Sequence, residues 1–391
     1  MARLSPRRHL PSSPGEDRHA EASGARAQGD IASLVRDIAD AATAFLNLLS
    51  EEQWAATMLD FADEPERRRW FYTPTARPGL ALLDMTPAQS QAVFRMLAVG
   101  LSEHGYNHVS MVIGMEHVLD YRYRFPDRPY GGTPGTRVRH PGNYRVAVFG
   151  VPGDFRWSWR IGGHHIALQF TICGSAVSVT PAFFGGEPAR TEMPGGAVLR
   201  MMAGEEDSAR RLLSSFSRDQ QVIATICPIS PTDIVQENSP RVAIGALPTI
   251  GGEGPGGQVL REYLQLTAVH DDMYRYTAVP KGLLAADMSP GQREQLGQLV
   301  RTYFSHLAEP IRAQYEHVFA RDAFDGTSFA WAGPPEVGAP HYYRIQGKRL
   351  LIEYNCAQNG ANHKHSAWRD PQGDFGDALI PPKVDPPPFS A

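Results

Sequence analysis

The feature that most constrains the fold is an internal echo, in which three segments of the first half recur in the same order in the second half. Residues 79–89 (GLALLDMTPAQ) match residues 282–292 (GLLAADMSPGQ), and residues 159–170 (WRIGGHHIALQF) match residues 343–354 (YRIQGKRLLIEY). A third, shorter match lies before the other two in each half: residues 49–53 (LSEEQ) and residues 215–220 (SFSRDQ). Because each pair combines specific turn residues with the same hydrophobic period, the echo indicates duplication of one folding unit.

The repeated unit has the pattern of helices followed by strands. Apolar residues recur at helical spacing over residues 31–49, and Thr86 with Pro87 predicts the start of a helix that runs to about Glu103. After Tyr144, short alternating segments separated by glycine-containing turns predict an antiparallel meander. The expected fold class is therefore α+β, a pseudo-twofold duplicated unit in which each repeat has helices followed by an antiparallel sheet.

Composition sets the expected domain boundaries. Residues 1–30 are rich in Arg, Pro, Gly, Ser and Ala and lack an apolar segment, which predicts a disordered N-terminal arm rather than a secretory signal. Residues 31–380 are predicted to form a single pseudo-symmetric domain, with repeat one at about 31–190 and repeat two at about 210–375. Residues 381–391 form a Pro-rich tail.

Net charge, hydropathy and cysteine content disfavour several classes of protein. The formal net charge of −4 argues against a general binder of nucleic acid or membrane surfaces, because both need a basic surface. No run of about eighteen apolar residues occurs, so no membrane-spanning helix is expected. The cysteines, Cys173, Cys227 and Cys356, form no CxxC pair, which disfavours a disulfide framework. We interpret the chain as cytoplasmic.

The strongest candidates for chemistry are His363 and His365. Residues two apart on a strand point to the same face, whereas Lys364 between them points to the other. Two imidazoles presented in this way can bind one transition-metal ion. The alternative is a pair of surface histidines on a polar strand edge, since Asn362 and Ser366 are also polar.

Two further histidines, His164 and His165, open a strand of the first repeat, so a metal site shared between the repeats is expected. Adjacent strand residues face opposite sides, and only one of the two is expected to reach the ion. The alternative is a Gly-Gly-His-His turn at the head of a core strand. Glu187, in a loop bracketed by glycines and Pro188, is a candidate ligand or general base, or else a solvated loop residue.

Arg369 and Asp374 follow the histidine pair closely in the sequence. Arg369 is a candidate for binding an anionic substrate through two parallel hydrogen bonds. Asp374 is a candidate acceptor for the free N–H of a ligand imidazole.

A competing metal pair is formed by His104 and His108, which are four residues apart. Histidines at this spacing on a helix can bind one ion. Because Gly105 and Asn107 lie between them, we expect a helix to end here, and the pair ranks below the others.

These motifs together resemble the family named domain of unknown function 3500 (DUF3500). The resemblance covers about residues 31–380 and rests on the following segments: 68–74 (RRWFYTP), 163–165 (GHH), 180–188 (TPAFFGGEP), 362–365 (NHKH) with Arg369, and 374–376 (DFG). It implies homology and places His164, His165, Glu187, His363 and His365 within motifs, but it implies little about function.

The sequence thus predicts a mononuclear metal-dependent enzyme that acts oxidatively on a small molecule. The expected ligands are His363 and His365 with His164 or His165, holding iron or copper, although zinc and manganese also fit this donor set. One alternative is a zinc- or manganese-dependent hydrolase or lyase with Glu187 as general base. Another is a metal- or ligand-binding protein without catalysis.

Overall fold

The computed structural model describes residues 30–73, 75, 77–123, 140–249 and 255–380. For residues 255–257 it describes the backbone only. The expected N-terminal arm, apart from Asp30, and the Pro-rich tail lie outside these residues. Within them, no helix is long and apolar enough to cross a membrane.

The helices and strands of the first half follow the predicted order. The helices are α1 (Ile31–Leu46), α2 (Glu51–Thr57), α3 (Glu64–Arg67), α4 (Pro87–Gly100) and α5 (Glu103–Arg122). The strands are β1 (Met58–Leu59), β2 (Leu80–Ala81), β3 (Arg145–Phe149), β4 (Arg156–Gly163), β5 (Ile166–Cys173), β6 (Ala176–Ser178), β7 (Ala182–Gly186), β8 (Arg190–Glu192) and β9 (Val198–Arg200).

The second half repeats this alternation with extra short helices. The helices are α6 (Ala203–Ser215), α7 (Arg218–Ala224), α8 (Pro255–Tyr263), α9 (Ala268–Tyr274), α10 (Pro290–Phe304), α11 (Glu309–Ala313), α12 (Arg321–Asp325) and α13 (Gln358–Ala361). The strands are β10 (Thr225–Cys227), β11 (Leu283–Leu284), β12 (Ser328–Ala332), β13 (His341–Gly347), β14 (Leu350–Ala357) and β15 (His363–Arg369).

One large sheet runs through both halves, which confirms the α+β class. Its main path is β1-β3-β4-β5-β7-β15-β14-β13-β12-β10, and an antiparallel β7–β15 pair joins the halves in the middle. The sheet is mixed rather than wholly antiparallel as predicted, because β1 and β10 each add a short parallel strand at an outer edge. Both edge strands directly follow a short helix, α2 or α7, which brings the chain back to the sheet in the parallel direction.

The central hairpin of each half has the same register. Gly163 is opposite Ile166 between β4 and β5, and Gly347 is opposite Leu350 between β13 and β14. The two hairpins are the segments that match in sequence, so the sequence echo corresponds to equal strand pairing.

Glutamine side chains link the same two helices in each half. Gln53 and Gln89 complete the capping boxes of α2 and α4, and the Gln89 amide donates to Gln53 Oε1 at 2.7 Å. Gln220 and Gln292 do the same for α7 and α10, with a donor–acceptor distance of 3.0 Å. A capping glutamine satisfies a backbone N–H at the helix start, so these pairs fix both helix positions and helix contacts.

The sheet has a helix face and a loop face. On β15, Trp368 packs into the large apolar core that includes α1, α4 and α10. Ala367 points the other way and packs with Phe183 and with residues of the loops 68–73 and 228–249. Because side chains alternate along a strand, each strand of the sheet can place different chemistry on the two faces.

The helix predicted to run to about Glu103 ends at Gly100, but the prediction that His104 and His108 lie where a helix ends is wrong. A new helix, α5, begins at Glu103, and the hydroxyl of Ser102 caps it by accepting from Gly105 N at 3.1 Å. Both His104 and His108 therefore lie on the first turns of a 20-residue helix. The glycine is needed there because a side chain would overlap the backbone of a neighbouring segment, so low helix propensity was a misleading guide.

Candidate metal centre

The candidate centre lies on the loop face, at the seam where β7 and β15 join the two halves. His365 is opposite Gly185 in this strand pair, and His363 lies two residues before it at the start of β15. Lys364 between them points to the helix face, where its ammonium group lies 2.7 Å from Glu206 Oε2. The alternation predicted from the sequence is therefore observed.

Three imidazole nitrogens meet at this point. The Nε2 atom of His363 lies 2.7 Å from Nε2 of His165 and 3.0 Å from Nε2 of His365. Two nitrogens that each lie about 2.1 Å from one ion, at an angle of about 90°, are roughly 3.0 Å apart. The spacing from His363 to His165 and that from His363 to His365 therefore each fit two imidazoles at neighbouring positions around one transition-metal ion.

Asp233 controls which nitrogen of His365 carries the proton. Its Oδ1 lies 2.8 Å from His365 Nδ1, so the neutral ring donates Nδ1–H and turns a lone pair at Nε2 toward the other rings. His363 Nε2 cannot donate to that lone pair and also accept a proton from His165. A cation bound by all three lone pairs satisfies the three nitrogens together, with Asp233 orienting one ligand from outside.

The backbone of His165 is held in an uncommon conformation. Its φ is 63°, its N–H donates to Tyr72 O at 2.9 Å, and its carbonyl accepts from Gly185 N at 2.9 Å. A Cβ at Gly185 would lie 2.7 Å from His165 Cδ2. The left-handed residue and the neighbouring glycine therefore fix the ring at the seam.

His164 directs its Nδ1 toward α5 while its ring lies against that of His165. Its Nδ1 lies 2.7 Å from Glu116 Oε1, and its carbonyl accepts from Tyr144 OH at 2.7 Å. The ring stacks on His165 with centroids 3.7 Å apart. Of the two adjacent histidines, His165 is the one whose nitrogen contacts His363, and His164 supports it from behind.

Glu187 stands on the far side of His363. Its Oε2 lies 3.7 Å from His363 Nδ1, and its Oε1 accepts hydrogen bonds from Tyr123 OH at 2.8 Å and from the Asn359 amide. His164, His165, Glu187 and His363 each offer a ligand atom within 4.8 Å of the others. The carboxylate is thus placed to act as a further ligand or as a proton acceptor.

Tyr72 forms a wall of the centre. Its ring stacks on Phe183 with centroids 3.9 Å apart and meets the edge of His365 at 5.0 Å. Burial, followed by the charge of Asp233, raises the pKa of the Tyr72 phenol well above its usual value, so the hydroxyl stays protonated. Side-chain exposure is 11% at His363 and 6% at His365, so solvent reaches the centre from the His363 side.

Arg369 and Asp374 do not join the centre. Arg369 is fully buried on β15, four residues beyond His365, which is roughly 13 Å along the strand. Its Nε donates to Asp374 Oδ2 at 2.7 Å, and Asp374 Oδ1 accepts from Asp370 N. The prediction that Asp374 receives a ligand imidazole is wrong, because Asp233 has that position.

The sequence interpretation missed Asp233, and it associated Glu116 with the His104 and His108 pair rather than with His164. Glu116 follows His108 and Val112 at helical spacing on the buried side of α5, so a carboxylate within an apolar stripe was a usable sign. Asp233 lies in an irregular loop, where no periodic pattern indicates which side chains are buried.

The fold and the centre can be compared with known proteins. Residues 32–377 match the family described as "Protein of unknown function (DUF3500)", and the chain belongs to this family. Comparison with curated proteins and with solved structures gives no match.

Proposed function

We propose that the protein is a mononuclear metal-dependent enzyme with His165, His363 and His365 as ligands. The observation that carries the proposal is the convergence of three Nε2 atoms, with contacts of 2.7 and 3.0 Å, beside the orienting Asp233. Three protein ligands leave coordination positions for a small molecule, whereas a closed shell of four would favour a structural role.

The proposed reaction is oxidation of a small molecule. Iron or copper in this donor set supplies redox chemistry when bound, and neutral imidazoles are ligands that both metals accept. The chain's own contribution is to orient the rings through Asp233 and Glu116 and to exclude water with Tyr72 and Phe183.

Hydrolysis or a lyase reaction is the second candidate, and the position of Glu187 favours it. The carboxylate is 3.7 Å from the ring of His363 and receives hydrogen bonds from Tyr123 and Asn359. A carboxylate so placed can take a proton from water activated by zinc or manganese.

We also propose that the two halves arose by duplication and are related by a pseudo-twofold axis at the β7–β15 seam. The equal hairpin registers and the matching glutamine pairs support this. The proposed ligands then come from both repeats, with His165 from the first and the other two from the second.

The proposal is tested with protein purified without a histidine tag and loaded separately with iron, copper or zinc. Each form is assayed against the same panel of small molecules with and without oxygen. Oxygen-dependent turnover by the iron or copper form, absent from the zinc form, supports the oxidative reaction. Oxygen-independent turnover by the zinc form that Glu187→Gln abolishes supports the second candidate. A wild-type protein that binds none of these metals on the loop face overturns both.

A further inference from the structure

A second group of metal-ligating side chains lies on the helix face of the sheet. His108 on α5 and His306, which follows α10, have Nδ1 and Nε2 atoms 2.9 Å apart, and Glu205 Oε1 on α6 is 3.7 Å from His306 Nε2. The three ligand atoms all lie within 4.8 Å of one another. All three residues are at most 4% exposed, so this is an internal cluster.

Backbone contacts hold the two histidines in place. Ser102 N donates to His306 O at 3.0 Å, and Leu101 forms a β-bridge with Leu307. A Cβ at Gly105 would overlap the carbonyl of His306, so the start of α5 lies directly against the segment that carries this histidine. The ligand atoms are therefore presented by rigid backbone.

The hydrogen bonds within this cluster leave some of its buried polar atoms without a partner. His306 Nδ1 donates to Tyr303 O at 3.1 Å, which turns a lone pair at Nε2 toward His108 and Glu205. Among the described residues, Glu205 Oε1 and His108 Nε2 have no hydrogen-bond partner. A buried carboxylate oxygen beside an imidazole lone pair is unfavourable unless a proton or a metal ion lies between them.

The surroundings leave room for one further ligand. Phe184 stacks on both rings, with centroids 4.5 Å from His108 and 4.6 Å from His306. A cavity of about 20 Å³ reaches His306 and Glu205. That volume holds about one water molecule, which is the size of a fourth ligand.

We propose that His108, His306 and Glu205 form a second site for a divalent transition-metal ion. Two histidines and one carboxylate are a known donor set for zinc and for ferrous iron, and a water molecule in the cavity completes a tetrahedral shell. His104 is exposed and its ring centroid lies 4.8 Å from that of His306, but it is not one of the three proposed ligands.

The second site is independent of the centre on the loop face. Phe184 and Phe183 are neighbours on β7, yet the first packs on the helix face and the second on the loop face. The two sites share no ligand, so each proposal can fail without the other.

The test is the zinc content of tag-free protein after loading with zinc and removal of the excess. We expect about two zinc ions per chain in the wild type and about one in Glu205→Gln, in His306→Gln and in His365→Ala. His104→Gln is the matched control and keeps two. If the wild type holds one zinc ion that Glu205→Gln removes and His365→Ala leaves, the second site is supported and the loop face holds no zinc.

Two zinc ions retained in both Glu205→Gln and His306→Gln would overturn the second site. A wild type that binds no zinc, or that binds a single ion which His365→Ala removes, would overturn it as well. If the helix-face variants fail to fold, His365→Ala loaded with cobalt decides the question, because its helix face is unchanged. Cobalt absorption from a tetrahedral nitrogen and oxygen site is then expected, and its absence contradicts the proposal.

Discussion

The two hairpin turns have equal registers but different chemistry. The first turn places His165 at the seam, where its Nε2 meets that of His363 at 2.7 Å. At the matching position of the second turn stands Arg349, whose Nε donates to both carboxylate oxygens of Asp370, at 2.7 and 2.8 Å. The first turn therefore places an imidazole nitrogen beside another imidazole, whereas the side chain of the second turn is held in an ion pair.

The difference means that the metal binding we propose depends on side chains rather than on the shared hairpin. The bond to Asp370 raises the pKa of Arg349, and a protonated guanidinium has no lone pair to offer a metal. Asp370 is itself buried, and its carboxylate is paired with the Arg349 guanidinium. The second hairpin turn therefore serves as an internal control for the first.

The largest expected effect is on metal affinity in His365→Ala. We expect a loss greater than about 100-fold, because removal of partners outside the ligand shell alone costs roughly 10–100-fold. Isothermal titration of metal-free protein, with zinc competed against a chelator, measures it. Arg349→Ala is the control and should change the affinity at the loop face by less than about twofold. Equal losses of zinc affinity in both variants would mean that the two hairpin turns do not differ as described.

Asp233→Asn is expected to weaken metal binding by roughly 10–100-fold while leaving the three ligands in place. The amide preserves the shape but no longer fixes the Nδ1–H tautomer of His365 with a charge. The same titration on Asp370→Asn provides the comparison, and there the affinity should not change. An unaltered affinity in Asp233→Asn would show that the carboxylate has no part in the centre.

Gly185→Ala should lower metal affinity by about tenfold and the free energy of unfolding by about 1–3 kcal/mol. The new methyl group would lie 2.7 Å from His165 Cδ2 and 2.8 Å from Lys364 O, so the ring must move. Gly114→Ala is a matched control, because nothing lies within 4 Å of a Cβ there. Denaturant unfolding and zinc titration of both variants measure the two effects, and a Gly185→Ala protein that binds normally would contradict the close fit.

The smallest expected effect is in Arg349→Met, with a loss of about 1 kcal/mol in the free energy of unfolding and no loss of metal. Arg349 is about one-third exposed, so the pair with Asp370 is partly screened by solvent. The difference between variant and wild type should shrink at high salt, which urea unfolding at two salt concentrations measures. A difference that does not depend on salt would indicate lost packing rather than lost charge.

Much of the scaffold could be predicted because local chemistry repeats. The capping glutamines occupy the same position of the matching helices in both halves, and the hairpin glycines occupy the same position of the matching turns. Each fixes a turn or a helix start without help from distant residues. His363 and His365 were also accessible, since strand alternation alone puts them on one face.

The rest of the centre depends on contacts between segments far apart in the chain. Asp233 reaches His365 across 132 positions, and Glu116 reaches His164 across 48. Arg369 and Asp374 looked suitable because they are close in sequence, yet the strand carries them away from the histidines. Proximity along the chain was therefore a poor guide to proximity in space.

The β7–β15 pair also determines how the protein unfolds. Backbone hydrogen bonds cross the seam from Lys364 to Trp368, so neither half can lose its sheet without exposing the central strands of the other. The two halves should consequently melt in one cooperative transition rather than as separate units. The ion that we propose at the seam would bind only the folded state, so adding it should raise the melting temperature of the whole sheet by mass action.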